Sequence, residues 1–405
     1  MIFLKLGFLN VLRNKRRTFL TATAIGVGLS ALIIIDGVML GMQKNMIETA
    51  TSGPLGEAQV HHDKFLDENE VEYTINHFDK LKEKLEARKE VVAWSERTLS
   101  QAMISSPNDS RNIILYGIKP FKEKKVNSLL DYLIEGTFLK SKKGIILGRK
   151  LLKNLKAELG DKIILTQLNV KTKELSQEQF RIEGVASFGS KEMDSRLAFI
   201  HLEMGQKILG LEEKVHEVVI KLESLEMGGI EDLPLWDKLS ENNNLAQGWS
   251  TLAPGLSIIS RMSNKSTAII TTILSLLVSI GVINTLFMSI YERMYEFGIL
   301  RALGTSSYEI FKMIVSESFF IGLFSLLVSF FLTLMFGSYL GYYGIDYGGI
   351  EFNNVTFQKP IYFILKWYHY TLYPIIEIFF ITFIGFYPAI SATKITMARA
   401  IKKTL

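Results

Sequence analysis

Four long runs of apolar residues constrain the fold of this chain more than any other feature. They occupy residues 18–42, 267–290, 315–340 and 372–392. About 20 such residues in a helix, rising 1.5 Å each, cross the roughly 30 Å hydrocarbon core of a bilayer. A soluble core would interrupt these runs with polar residues at helix or strand period. We therefore predict an α-helical membrane protein with four transmembrane helices, the first of which is an uncleaved anchor rather than a signal peptide.

Basic residues next to the apolar runs predict the topology. Residues 1–17 carry five Lys or Arg and no acidic residue, and residues 393–405 carry four and none. Basic flanks stay on the cytoplasmic side, so both termini and the link 291–314 are predicted to be cytoplasmic in a multi-pass protein of the inner membrane. The pI of 9.0 follows from these flanks, and a nucleic-acid partner is not expected because no soluble basic face accompanies them.

Residues 43–262 form the large segment between the first and second helices, which the topology places outside the cytoplasm. Short β-rich runs alternate there with stretches of helical period. We predict a large extracytoplasmic α+β domain, inserted between helices 1 and 2, with two lobes rather than one sheet. The runs predicted as strands are 58–62, 112–118, 144–147, 162–167, 180–186 and 216–222.

The chain offers no recognisable site of chemistry. Cysteine is absent, no pair of His has the spacing of a zinc site, and no nucleophile motif or Gly-Lys dipeptide of a Walker A loop occurs. We predict no catalytic, cofactor-binding or metal-binding residues and no enzymatic activity in this chain.

The predicted periplasmic loop 341–371 is rich in aromatic residues. Two interpretations remain open: interfacial anchoring of the polar-edged rings, or an entrance for a lipidic substrate at the outer leaflet. The candidate entrance residues are Tyr342, Tyr343, Tyr347, Trp367 and Tyr368.

Small residues recur along the first predicted membrane helix. Such a stripe lets another helix approach closely, which predicts a packing face. Its members are Ala22, Gly26, Ser30, Gly37 and Gly41. Asp36 and Glu377 lie near the outer ends of helices 1 and 4, where a structural and a functional role are both open.

The link 291–314 has the pattern of a short amphipathic helix. Met294, Phe297, Leu300 and Leu303 repeat at helical spacing. Gly304 suits the position after a helix end, and the S-x-x-E sequence starting at Ser306 predicts a capping box for the third membrane helix. The pattern fits an interfacial turn, or a charged helix on which a soluble partner docks.

The same link resembles a known family. The run Glu292-Arg293-x-x-Glu296-x-Gly298-Ile299-Leu300-Arg301-Ala302-Leu303-Gly304 is similar to the signature of the FtsX-like ABC transporter permeases, which include the MacB efflux pumps and the LolC/LolE lipoprotein-releasing permeases. Residues 10–18 resemble the family's cytoplasmic amphipathic helix, here 1–17, and residues 387–394 resemble its closing segment before a cytoplasmic tail, 393–405.

The resemblance implies mechanotransmission. Two permeases, either a homodimer or two paralogues, pair with a dimer of cytoplasmic ABC ATPases that bind ATP and Mg²⁺, and nucleotide-driven motion passes through the helices to the periplasmic domain. It implies that the coupling helix docks on the ATPase through Glu292, Arg293, Glu296, Gly298, Leu300, Arg301, Leu303 and Gly304.

The branch of the family determines the expected cargo. Residues 53–61 and 188–200 look more like the lipoprotein-releasing branch, which implies a lipoprotein or another amphiphilic cargo and a periplasmic carrier or adaptor. The alternatives are a MacB-like efflux permease with an outer-membrane channel and an FtsX-like regulator of a cell-wall hydrolase.

Overall fold

The computed structural model describes residues 2–13, 15–68, 70–346, 351–352, 355–356 and 360–394. The chain divides into two compact units. The helical unit comprises Met1–Gln43, Arg261–Asp346 and Pro360–Leu405, and the inserted domain comprises Lys44–Ser260 with Tyr347–Lys359. The predicted tail beyond residue 394 and Tyr347 lie outside the described residues.

Four helical stretches among the described residues are long and apolar enough to cross a bilayer. They coincide with the four predicted runs. We call them the first to fourth long helices: Lys15–Ala50, Pro254–Glu292, Ser307–Tyr343, and Trp367–Thr393, the last made of Trp367–Tyr370, Leu372–Ile384 and Phe386–Thr393.

The first and second long helices extend well beyond their apolar runs. They contain 36 and 39 residues, or roughly 54 and 58 Å at 1.5 Å per residue. The first continues past residue 42 into a π-helical turn, Thr51–Leu55, and the second begins at Pro254, before its apolar run. The helical secondary structure of both the first and the second long helix therefore continues along the chain into residues of the inserted domain.

A short N-terminal helix, Ile2–Arg13, packs on the third long helix. The ring of Phe8 lies 5.2 Å from that of Phe320, edge to face, and a Cβ at Gly7 would come within 2.0 Å of the Ser316 hydroxyl oxygen. One core cluster joins this helix to all four long helices: Val11, Ile25, Val282, Leu286, Ile321 and Ile381.

The helical unit also contains the link helix, Met294–Ala302. The chain after the third long helix forms a bridge between Ile345 and Ile361. Two short strands between these residues, Glu351–Phe352 and Val355–Thr356, form an antiparallel ribbon.

Apart from the short ribbon 351–356, the described residues of the inserted domain contain ten strands. They are β1 (Ala58–His62), β2 (Val91–Ser105), β3 (Ser110–Ile118), β4 (Leu133–Gly136), β5 (Gly144–Gly148), β6 (Lys162–Leu168), β7 (Leu175–Ala186), β8 (Leu197–His201), β9 (Glu217–Leu222) and β10 (Asn244–Gly248).

All ten strands belong to one mixed sheet, in the order β10-β1-β9-β2-β3-β8-β5-β7-β4, with β6 pairing both β2 and β7. The β3–β8 and β5–β7 pairs are parallel, and the other pairs are antiparallel. The prediction of two lobes rather than one sheet is therefore wrong. The reason is β2, which has 15 residues and pairs with β9 along its first half and with β3 along its second.

Short helices cover the sheet, and its apolar side chains form separate clusters. One cluster packs around β5, β6 and β7, and another around β1, β9 and β10. The helices are Phe65–Glu68, Phe78–Glu86, Pro120–Val126, Arg149–Asn154, Lys191–Arg196, Leu202–Leu209, Pro234–Leu239 and Trp249–Leu252, with 3-10 turns Leu129–Tyr132 and Leu225–Gly229.

Candidate functional site

The ends of the link helix have the geometry that the sequence predicts. Gly304 adopts φ +98°, a left-handed conformation that glycine adopts without a Cβ clash. The Ser306 hydroxyl accepts from the Glu309 N–H at 3.3 Å, and the Glu309 carboxylate accepts from the Ser306 N–H at 2.8 Å. This capping box starts the third long helix, and the Gly304 turn and the box together define the angle between the two helices.

One face of the link helix is buried. Phe297 is buried at 1% exposure and packs, with Leu300, on a cluster that includes Ile310, Met313 and Ala389. Gly298 is also buried, and Met294 is half-buried. The small Gly298 and the flat Phe297 ring let this face lie close to the third and fourth long helices.

The opposite face of the link helix is apolar but exposed. Tyr295 is 52% exposed and Ile299 44%, and their spacing of four residues places them on one face of the helix. Leu303, just after the end of the helix, is 78% exposed. We call these three residues the exposed row. The expectation that Leu303 repeats on the same face as Phe297 and Leu300 is wrong, because the helix ends at Ala302 and the chain turns away there.

Two arginines near the N-terminus bind the acidic residues of the link. Nη2 of Arg13 donates to both carboxylate oxygens of Glu296, at 2.8 and 2.9 Å. Arg17, on the first long helix, pairs with Glu292 and donates to the Ser289 hydroxyl at 2.8 Å. Ion pairs therefore join the start of the link region to the first 17 residues of the chain.

Arg293 forms the buried centre of this network and is 6% exposed. Its Nη1 donates to the Glu317 carboxylate at 3.0 Å and its Nε to Glu296 at 3.0 Å. Glu317 also accepts from the Ser289 hydroxyl at 3.0 Å. We call Arg13, Arg17, Glu292, Arg293, Glu296 and Glu317 the ionic network.

The ionic network keeps Glu296 charged. Partial burial raises the pKa of the Glu296 carboxyl, but hydrogen bonds from the guanidinium groups of Arg13 and Arg293 outweigh that effect and hold its pKa below the usual value. At neutral pH the carboxylate therefore remains available to both arginines.

Arg301 connects the end of the link helix to two other elements. Its Nη1 donates to the Thr393 carbonyl at 3.2 Å, at the end of the fourth long helix, and its Nη2 donates to the Ser307 hydroxyl at 2.9 Å. Most of the predicted coupling side chains therefore hold the link helix against other parts of the chain, whereas the Leu303 side chain is exposed.

Asp36 has partners that its sequence position does not reveal. Its carboxylate accepts from His369 Nε2 at 2.8 Å and from the Tyr373 hydroxyl at 2.9 Å. His369 is fully buried, and its Nδ1 accepts from the Lys366 N–H at 2.9 Å, which leaves the ring proton on Nε2. Asp36 therefore fastens the first long helix to the start of the fourth.

Two glycines of the predicted packing stripe lie against the segment that precedes the fourth long helix. A Cβ at Gly37 would lie 2.1 Å from the Phe363 ring, and one at Gly41 would lie 1.9 Å from the Tyr362 carbonyl oxygen. The Gly37 carbonyl also accepts from the Ile364 N–H at 3.0 Å. Glycine at both positions permits this close approach.

The remaining members of the stripe face other parts of the unit. A Cβ at Gly26 would lie 2.7 Å from the third long helix, at Ser325 and Val328. Ala22 and Ser30 are buried at 3% and 4% exposure. Glu377, which lies on the fourth long helix and is not part of the stripe, is buried as well.

The aromatic residues of the outer loop form two groups. Tyr342 and Tyr343 lie 4.9 Å apart at the end of the third long helix. Trp367 and Tyr368 lie 6.1 Å apart near the start of the fourth, where Tyr368 also contacts the ring of Tyr373. Tyr342, Tyr343 and Trp367 are exposed, and no ring contact within the described part of the loop joins the two groups.

Comparison with known proteins identifies the family. Residues 268–397 match the FtsX-like permease C-terminal family, and residues 18–226, more than half of the chain, match the MacB-like periplasmic core domain. The chain belongs to the family of FtsX-like ABC transporter permeases. Members are membrane permease subunits that are not themselves catalytic and that work with a cytoplasmic ATPase.

The individual relatives come from several branches of the FtsX-like permeases. The chain is 24% identical to the lipoprotein-releasing system transmembrane protein LolC of Neisseria meningitidis serogroup B, over 82% of this chain and 81% of the relative. It is 26% identical to the uncharacterized ABC transporter permease YknZ of Bacillus subtilis, over 85% of each chain.

The chain also has a partial match to a solved domain structure. That structure is the extracellular domain of the noncanonic ABC-type transporter YknZ from Gram-positive bacteria. The match has 15% identity and a TM-score of 0.33, covering 47% of this chain and 97% of that one.

Proposed function

We propose that this FtsX-like permease is the membrane subunit of an ATP-driven exporter that extracts lipoproteins from the inner membrane for transfer towards the outer membrane. Two permease chains act with two ABC ATPases, which bind ATP and Mg²⁺ on the cytoplasmic side. Both termini and the link helix lie in the cytoplasm and the inserted domain lies outside, as the basic flanks favour.

The link helix carries the proposal. Its buried face and ionic network bind it to the N-terminal helix and the first and third long helices, while the exposed row leaves apolar surface for the ATPase. An ATPase that moves the exposed row moves the first long helix with it, because Arg17 and Glu292 pair the two. That helix continues into the inserted domain, so the motion reaches the cargo side through the backbone.

The choice of lipoprotein as cargo is supported by the relatives. LolC proteins, whose name assigns them to a lipoprotein-releasing system, match over 82% of this chain in one case and 52% in another. Exposed aromatic rings at Tyr342, Tyr343 and Trp367 offer apolar surface next to the helix ends, which suits a lipid-anchored cargo.

A second candidate is MacB-like efflux of a drug or toxin through an outer-membrane channel. The match of residues 18–226 to the MacB-like periplasmic core supports it, since that match includes most of the inserted domain.

Depletion of the chain separates the two candidates. The lipoprotein proposal predicts that lipoproteins accumulate in the inner membrane of depleted cells, while a soluble periplasmic protein is exported normally. Normal lipoprotein sorting together with new sensitivity to drugs or toxins would contradict it and favour efflux.

A further inference from the structure

The inserted domain contains a groove of about 840 Å³. The end of the first long helix contributes Ala50 to its lining, and the following turn contributes Pro54 and Leu55. The first residues of the second long helix contribute Gly255, Leu256 and Ile259. The first long helix, which carries motion in the proposed function, therefore forms part of its wall, as does the second.

The groove has mainly apolar walls. Leu55, Leu99, Ile114, Leu252, Leu256 and Ile259 line it, and all are half-buried rather than buried. A domain core would bury such side chains completely, because a partly exposed Leu or Ile gives up part of its favourable free energy of transfer from water. The volume falls within the roughly 300–1,000 Å³ of small-molecule sites.

A buried carboxylate also lines the groove. Glu217, on β9, is 2% exposed, and its Oε1 accepts from Arg97 Nη1 at 3.0 Å. Within the described part of the chain, the structure shows no hydrogen-bond donor to Oε2 of this carboxylate. Glu217 therefore keeps hydrogen-bonding capacity on one oxygen in the wall of the groove.

The charges around Glu217 leave an excess of negative charge. Arg97 is fully buried and also pairs with the fully buried Glu123, through Nε at 3.0 Å, so one guanidinium serves two carboxylates. Burial raises the pKa of Glu217, against the attraction of Arg97, and Glu123 raises it further. Desolvated charges of this kind are costly unless paired, so a donor entering the groove would be favoured.

We propose that this groove binds the lipidated end of the cargo, with an acyl chain along the apolar walls and an ammonium or amide N–H donating to Glu217 Oε2. The rim is nearly neutral, since Glu192 and Arg196 both line it and pair at 3.8 Å. The identity of the amphiphile rests on the proposed function, whereas the chemistry of the groove does not.

Photocrosslinking of the purified full-length chain in lipid nanodiscs tests the proposal. The probe is a long-chain alkyl amine with a diazirine at its far end, compared with an alkyl carboxylate of equal length. The amine should label peptides that contain groove residues several-fold more than the carboxylate does. Equal labelling by the two probes would contradict the role of Glu217.

Gly255 provides a matched pair of variants. A Cβ at this position meets nothing within 4 Å, so Gly255→Ala controls for the loss of glycine, and Gly255→Trp adds a bulky ring at the groove wall. Gly255→Trp should lower amine labelling of the groove several-fold, and Gly255→Ala should leave it unchanged. Unchanged labelling in Gly255→Trp, or labelling confined to the apolar runs 18–42, 267–290, 315–340 and 372–392, would overturn the assignment.

Glu217→Gln tests the polar contact. The substitution keeps the size of the side chain, and Arg97 keeps its ion pair with Glu123, so the fold should be retained, which tryptophan fluorescence can check. The preference for the amine probe over the carboxylate probe should be abolished. A preference that survives the substitution would contradict the contact.

These outcomes are separable from those of the proposed function. If labelling fails while depletion strands lipoproteins in the inner membrane, the groove assignment alone is wrong. If labelling succeeds while lipoproteins sort normally, the groove is an amphiphile site and the proposed function is wrong.

Discussion

Nη2 of Arg13 lies 2.8 and 2.9 Å from the two carboxylate oxygens of Glu296, a residue 283 positions later in the chain. This pair joins the N-terminal helix to the link helix. Both side chains are partly exposed, at 52% and 44%, so their value lies in positioning more than in stability.

A double-mutant cycle of Arg13→Gln and Glu296→Gln should show a coupling energy of about 0.2–1 kcal/mol, as for other exposed ion pairs. Each single variant should slow cargo release. The double variant should be no slower than Glu296→Gln alone, because that substitution already removes the ion pair with Arg13 as well as the one with Arg293. Thermal unfolding and the release rate measure the two quantities. Additive losses of release rate would show that the two residues act separately.

Arg293→Met should destabilise the helical unit by about 3 kcal/mol, because it removes the nearer guanidinium partner of the buried Glu317 carboxylate and leaves only Arg17, at 4.0 Å. Combining it with Glu317→Gln should restore most of that loss. Thermal unfolding of the purified chain checks both expectations. A loss as small as that of Arg13→Gln would contradict the burial of the Arg293–Glu317 pair.

Asp36→Ala should weaken the attachment of the fourth long helix. Oδ2 of the carboxylate accepts from both His369 and Tyr373, so the substitution leaves two donors without their acceptor, at about 1–3 kcal/mol each. Asp36→Asn should cost less, because an amide oxygen in the place of Oδ2 can accept from both donors. Limited proteolysis near residue 366 measures the effect, and wild-type protection in Asp36→Ala would argue against the attachment.

The stability of the inserted domain should fall on mild acidification because of His216. Burial lowers the pKa of this imidazole from 6.5 to about 4, while its Nδ1 accepts from the Leu99 N–H and its Nε2 donates to the Val71 carbonyl. The unfolded state therefore binds a proton first, so this stability is complete above about pH 6.5 and is lost as the pH falls towards 4. About 2 kcal/mol should disappear between about pH 7 and pH 5.

His216→Gln provides the control for this pH dependence. Its amide can replace both hydrogen bonds without titrating, so the difference between wild type and variant isolates His216 from the carboxylates. Fluorescence of Trp94, Trp236 and Trp249, all within the inserted domain, follows unfolding. Identical pH slopes in the two proteins would show that His216 is not buried in its neutral form.

The four long helices could be predicted because apolar length alone decides a membrane span. The capping box and the Gly304 turn could be predicted as well, because each depends on residues a few positions apart. Interactions between distant parts of the chain could not. Arg13 and Arg17 indicate topology by their charge, and nothing in their local sequence shows that they pair with Glu296 and Glu292.

The longest strand, β2, lacks the pattern that identifies strands. Its residues Ser95, Glu96, Arg97 and Thr98 are all buried. The charges among them are paired inside the domain, Arg97 with Glu123 and Glu217 and Glu96 with two lysines. Hydrophobic periodicity fails where burial is achieved by ion pairing. Without β2, the remaining strands suggest two lobes instead of one sheet.

A test of ATPase docking needs substitutions at residues that do not belong to the ionic network. Glu296→Arg would place a third cation beside Arg13 and Arg293, so it disturbs the network as well as any docking. Ile299→Glu and Leu303→Glu change only the exposed row, and both side chains already contact solvent, so the fold should be retained. Leu175→Glu, on an exposed position of the inserted domain, is the matched control.

ATP-dependent release of a lipoprotein from vesicles that contain this chain and its ATPase tests the central claim most directly. Wild type and Leu175→Glu should release the lipoprotein when ATP is added, and the Ile299→Glu/Leu303→Glu double variant should lose at least most of that release while unfolding at the wild-type temperature. Absence of ATP-dependent release by wild type, or equal release by the double variant, would contradict the account.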